Sequence, residues 1–167
     1  MFLFVRAVTY STLFIGFVLI FLPARVLSSS GLVSPSAIGL PQSVGVFLGA
    51  AGAAIAVSCI VTFVRVGKGT PAPFDPPRRL VVRGPYRFVR NPMYLGAALA
   101  MSGAALFYRS FALLVYVAVF LLVMHLFVMA YEEPTLRRTF GEDYKAYCNR
   151  VGRWWPKSER DRTADSR

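Results

Sequence analysis

The chain has 167 residues, 56% of them hydrophobic and only 16% charged, with a mean hydropathy of +0.53. That is more apolar surface than a soluble domain of this size hides, which argues against an ordinary soluble enzyme and for a lipid environment. The formal net charge is +11, and the basic residues gather within residues 65–90 and 137–167, away from the apolar runs. This is the distribution of cytoplasmic segments beside a membrane, so membrane lipids are the expected partner and nucleic acid is not. Cys59 and Cys148 lack metal-ligand or redox spacing; they read as free thiols, and no metal site is expected.

In chain order, residues 9–27 form an apolar run long enough to cross a hydrocarbon core, which takes roughly 20 helical residues. The run exceeds a signal-peptide core, and Arg25 stands where a cleavage motif would begin, so a first spanning helix is predicted. Residues 28–42 are neutral and turn-rich, with Pro35 and Pro41, and read as a loop on the non-cytoplasmic side. A second spanning helix is predicted over residues 43–64, where Gly45, Gly49 and Gly52 give small-residue spacing that permits close helix approach.

Residues 65–91 carry seven basic side chains against Asp75 alone, with five prolines that interrupt any regular helix; they form a cytoplasmic connection. Residues 92–131 hold two short crossings, split at Tyr108-Arg109-Ser110, because a charge is costly at mid-bilayer. Asn91-Pro92 reads as an N-cap followed by a proline at the first helical position. The second crossing contains His125, the only histidine, expected to be neutral and bonded to a neighbouring helix.

Glu132 and Glu133 end that apolar run. Beyond them, Leu136, Phe140, Tyr144, Tyr147 and Val151 recur at helical spacing among basic residues, which predicts an amphipathic segment on the membrane surface, broken near Gly141. Trp154 and Trp155 read as interfacial aromatics. The sum is an all-α integral membrane bundle of about four short transmembrane helices plus a cytoplasmic amphipathic C-terminal helical segment. Both termini are expected on the cytoplasmic side of a multi-pass protein of the plasma (inner) membrane. Residues 1–157 form one membrane-embedded domain in this reading, and 158–167 a charged, disordered tail.

One stretch carries chemistry: Arg83-Gly84-Pro85-Tyr86-Arg87-Phe88-Val89-Arg90-Asn91-Pro92-Met93-Tyr94-Leu95-Gly96. It sets a helix start, arginines and tyrosines at the membrane surface opposite Glu132 and Glu133. Arginine near a helix N-terminus suits an anionic group, and a carboxylate suits ribose hydroxyls or a cation. The combination fits a zwitterionic nucleoside cofactor and equally a lipid headgroup.

Gly84-Pro85-Tyr86, Arg90-Asn91-Pro92-Met93-Tyr94-Leu95-Gly96, Glu132-Glu133-Pro134, Phe140-Gly141, Tyr144, Tyr147, Arg150-Val151, Arg153 and Pro156 occur in an order that resembles the isoprenylcysteine carboxyl methyltransferase and phospholipid methyltransferase superfamily. The resemblance covers residues 83–156, about the second half of the chain. Asn91 stands where the family has histidine, and asparagine cannot titrate near neutral pH. The resemblance implies methyl transfer from S-adenosylmethionine to a lipophilic acceptor: an isoprenylcysteine-like carboxylate, a phospholipid amine or another small lipid. It further implies cofactor contacts from Arg90, Asn91, Pro92, Met93, Tyr94, Glu132 and Glu133, with Tyr86, Tyr144 and Tyr147 closing the cytoplasmic side. Arg90, Glu133 and Arg153 are the implied catalytic residues. Arg153 would orient an acceptor carboxylate, whereas an amine acceptor would use a carboxylate instead.

Two rivals stand beside this reading. Phe140-Gly141, Tyr144-Lys145-Ala146-Tyr147-Cys148 and Val151 also resemble integral membrane sterol reductases, which use NADPH. A non-catalytic membrane module that binds lipid is the other.

Overall fold

A computed structural model describes residues 16–30, 37–67 and 79–157; the start of the first apolar run, the turn-rich 31–36, residues 68–78 of the proline-rich connection and the tail 158–167 lie outside the described residues. Those described are helical or irregular, with one isolated parallel bridge between Val89 and Gly152. The helices are α1 (Phe17–Ser29), α2 (Leu40–Thr62), α3 (Pro92–Phe107), α4 (Phe111–Phe127) and α5 (Glu133–Arg150).

Two proline effects shape these boundaries. The sequence predicts a loop through Gln42, but α2 begins at Leu40, because Pro41 occupies the first turn, where a missing N–H is harmless. Gln42 joins the helix rather than the loop. Its Oε1 accepts from the Gly39 N–H at 3.1 Å and its Nε2 donates to the Phe107 carbonyl at 3.4 Å, so one buried amide serves the start of α2 and the end of α3. The second effect is at Glu132-Glu133, where the apolar run was expected to end with its helix. The apolar part does end at Tyr131, yet the backbone continues from α4 through a widened π stretch, Val128–Glu132, into α5. Pro134 follows two residues later, and a proline ring collides with the preceding turn unless that turn widens. The same pairing occurs in α1, where the π stretch Phe17–Phe21 precedes Pro23.

The expected split between α3 and α4 is present. Arg109 takes a left-handed φ of 50°, and the Ser110 Oγ caps α4 by accepting from the Leu113 N–H at 3.2 Å. The expected break at Gly141 is present too, as a non-helical residue with φ 53° and ψ −122° inside α5.

Close packing of α2 on α3 runs along glycines. A Cβ on Gly45 would lie 2.6 Å from the Gly103 carbonyl oxygen, one on Gly52 would lie 2.6 Å from that of Gly96, and one on Gly103 would meet the Gly49 backbone. Gly49 itself has room, with its nearest neighbour 4.0 Å away. The opposite face of α3 supplies Ala97, Ala98 and Met101 to a core with Val117, Phe120 and Met124 of α4, against which Val18 and Leu19 of α1 pack. The Tyr116 hydroxyl fastens α1 by donating to the Val18 carbonyl at 2.6 Å. On α4, Leu113, Val117, Phe120 and Met124 are buried, while Val115, Val119, Leu122 and Leu126 on another face are exposed. Exposed apolar residues at that spacing need a partner that is not water. Two helices, Leu40–Thr62 and the continuous Phe111–Arg150, are long and apolar enough to cross a membrane; Phe17–Ser29 and Pro92–Phe107 are apolar and shorter.

Candidate functional site

Charged side chains meet where the polar ends of these helices converge. After a short 3-10 turn, Gly84–Arg87, Val89 bridges to Gly152 and the chain bends at Arg90 into Asn91, the residue before α3. The segment that leaves α5 returns beside it, and the Arg90 N–H donates to the Gly152 carbonyl at 2.9 Å. This pairing brings Arg90 and Arg153 over the first residue of α5. Arg153 grips the Glu133 carboxylate through Nε and Nη2, at 2.7 and 2.8 Å, and Arg90 Nη1 reaches Glu133 Oε1 at 2.9 Å. Glu133 is buried, with 8% of its side chain exposed, and Arg90 nearly so at 13%. Arg90 Nη1 also lies 2.8 Å from the Cys148 sulfur, while Arg90 Nε is a buried donor without a partner among the described residues.

A second carboxylate stands beside this cluster. Glu132 Oε2 accepts from the Tyr94 hydroxyl at 3.1 Å. Burial pushes the Glu132 carboxyl above its ordinary 4.5, against the Tyr94 hydrogen bond and with the Glu133 charge adding to it. Burial also works to raise Glu133, but the Arg153 hydrogen bonds and the two arginine charges outweigh it and hold Glu133 below 4.5. The consequences have opposite signs. Glu133 contributes stability that is present above 4.5 and lost as the pH falls through its depressed value. Ionised Glu132 costs stability above its raised value, and that cost vanishes below 4.5. Glu132→Gln is therefore expected to raise the thermal midpoint at neutral pH, and the gain should shrink towards zero on acidification. A midpoint-against-pH series in detergent checks this; a gain that persists below the ordinary carboxylate range would contradict it.

Around the carboxylates, the Tyr147 hydroxyl donates to the Tyr86 carbonyl at 2.7 Å, and Tyr144 packs against Tyr147 in a buried cluster with Val151. Leu136 and Phe140 border that cluster, as the helical spacing predicts. Burial raises the Tyr86, Tyr144 and Tyr147 hydroxyls well above their usual value, so all three are neutral donors at physiological pH.

Of the residues singled out in the sequence, Arg90, Glu133 and Arg153 are in direct contact, Tyr94 and Glu132 form a pair, and Tyr86 joins Tyr147. Pro92 and Met93 form the first turn of α3. Two details differ from expectation. Asn91 holds the N-cap position, but its side chain does not cap α3; its Nδ2 donates to the Arg153 carbonyl at 3.3 Å, tying the two site segments together. Arg153 has its guanidinium laid against Glu133 instead of being free for an acceptor carboxylate. Sequence reasoning missed Cys148 against Arg90, and it missed Trp154, whose indole N–H donates to His125 Nδ1 at 2.9 Å. The doublet Trp154-Trp155 carries no mark separating the half-buried residue from the exposed one.

Among the described residues the protein is all-helical, with two helices long and apolar enough to cross a membrane and a buried ionic cluster at the polar ends of the helices. The family model described as phospholipid methyltransferase matches residues 40–143, more than half of the chain, and the chain belongs to that family, a family of methyltransferases. The matched stretch contains Arg90, Asn91, Tyr94, Glu132 and Glu133; Tyr144, Tyr147 and Arg153 lie beyond it. No curated protein and no solved structure matches the chain.

Proposed function

We propose that the protein transfers a methyl group from S-adenosylmethionine to a lipophilic acceptor at the cytoplasmic face of the membrane. The observation that carries this reading is the charge balance of the site. Two arginines share the single carboxylate of Glu133, leaving one positive charge over and a buried Arg90 Nε donor unused. Glu132, bonded by the neutral Tyr94, leaves one negative charge over. Separated surplus charges of opposite sign suit a zwitterion, and an amino-acid group is one.

The residues fit the cofactor. Glu132 would hold its ammonium; Arg90 Nε and the first-turn amides of α3 at Met93 and Tyr94, which Asn91 leaves uncapped, would hold its carboxylate. When bound, S-adenosylmethionine supplies an electrophilic methyl group, and the protein has to align donor with acceptor and exclude water. Tyr86, Tyr144 and Tyr147 form the water-excluding side through neutral hydroxyls. Glu133 keeps Arg90 and Arg153 in register. With Arg153 committed to Glu133, an amine acceptor is favoured over a carboxylate one.

The exposed apolar faces support a bundle of four spans, α1 to α4, with α5 lying at the surface, and the basic residues within 65–90 and 137–167 favour both termini on the cytoplasmic side. Methyl transfer from labelled S-adenosylmethionine to vesicles containing phosphatidylethanolamine, compared with a prenylated cysteine, tests the acceptor. Product that is stable to base and reduced at least about tenfold by Glu132→Gln agrees with amine methylation, that fold-change being the size expected for a lost charged contact. Base-labile ester on the prenylated cysteine would contradict it.

A further inference from the structure

We propose that His125 is a positioning residue for the cofactor site, acting through Trp154; the proposal rests on the S-adenosylmethionine reading above. His125 lies in the last turn of α4, in an otherwise apolar stretch, and among the described residues it is hydrogen-bonded to Trp154 and to no member of the charge cluster. An indole N–H can only donate, so at 2.9 Å the His125 Nδ1 must offer a lone pair, which fixes the imidazole as the tautomer protonated at Nε2. The bond ties the membrane end of the site to the segment that follows α5.

That segment matters because of what it carries. Gly152 pairs with Arg90, Arg153 grips Glu133, and Trp154 is the next residue. The Trp154 ring is tilted against both His125, at a centroid distance of 6.0 Å, and Tyr94, at 6.5 Å. Tyr94 in turn holds Glu132. Trp154 thus backs both carboxylates: Glu133 through the adjoining Arg153, and Glu132 through the Tyr94 ring. Without the acceptor on α4 the indole is free to rotate, and the surplus charges that would bind a zwitterion lose their relative position.

The test uses the full chain in detergent with Trp155→Phe, which leaves Trp154 as the sole tryptophan reporter. His125→Phe keeps a ring and removes the acceptor; His125→Asn retains an acceptor oxygen near the position of Nδ1. Trp154→Phe removes the donor from the other end, on a segment outside the helices, and serves if the α4 variant fails to fold. The expected results are a shifted Trp154 emission in His125→Phe and S-adenosylmethionine affinity weakened about fivefold to tenfold in both phenylalanine variants, the worth of one buried hydrogen bond. The double variant should be no weaker than either single one. In turnover the loss should fall on KM for S-adenosylmethionine more than on kcat, and His125→Asn should restore affinity to within about twofold. Binding that is indifferent to His125, equal losses in His125→Asn and His125→Phe, or additive losses in the double variant would overturn the proposal alone. Failure of the unaltered chain to bind S-adenosylmethionine would overturn it together with the function on which it rests.

Discussion

Glu133→Ala is expected to destabilise the protein by about 3–5 kcal/mol, because it strands Arg90 and Arg153 without the carboxylate they share. A surface ion pair would be worth a fraction of that, but Glu133 is buried and both its oxygens are bonded. Thermal unfolding in detergent should show the loss as a large drop in midpoint. Removing the whole cluster, with apolar residues at 90, 133 and 153 together, should recover most of the stability while abolishing activity, since the cost lies in the unpaired charge. An unchanged midpoint for Glu133→Ala alone would mean that water reaches the arginines. Lost activity in that variant therefore says little about cofactor contact by Glu133; Glu132 is the cleaner probe.

Gly103→Val should also be damaging, for a different reason. The new side chain would meet the Gly49 backbone and lie 2.5 Å from the Gly45 carbonyl oxygen. Backbone atoms inside a helix cannot rotate aside as a side chain would, so α2 and α3 must separate. The expected cost is about 1–3 kcal/mol or more, with loss of monodisperse protein on size exclusion. Gly49→Ala is the contrasting case. Its Cβ would find ordinary contact distance, and replacing glycine within a helix favours it by about 0.5–1 kcal/mol, so that variant should be neutral or stabilising. Equal damage from both substitutions would refute the contact pattern between the two helices.

The glycine stripe shows how far sequence reading reaches. Spacing alone identified Gly45, Gly49 and Gly52 as a packing face, but which of them tolerates a side chain depends on the rotation of α3 against α2, and no local pattern encodes that. The start of α3 at Asn91-Pro92, the turn at Tyr108-Arg109-Ser110 and the break at Gly141 were legible because each rests on the chemistry of one to three adjacent residues. The continuity of α4 into α5 was not. Glu132-Glu133-Pro134 has the composition of a helix end, and only the widened turn ahead of the proline lets the helix pass through it. In the site, residue types were legible and pairings were not. The family resemblance implied that Arg153 orients an acceptor carboxylate, whereas the backbone pairing of Arg90 with Gly152 sets it on Glu133. His125 with Trp154 joins residues 29 positions apart, and a lone histidine in an apolar run gives no hint of its partner.

The most direct measurement is calorimetric titration of the detergent-purified protein with S-adenosylmethionine and, separately, with NADPH, in the unaltered chain and in Glu132→Gln. Binding of S-adenosylmethionine alone is expected, weakened at least about tenfold by a substitution that leaves the fold intact. Binding of NADPH, or S-adenosylmethionine affinity unchanged by Glu132→Gln, would contradict it.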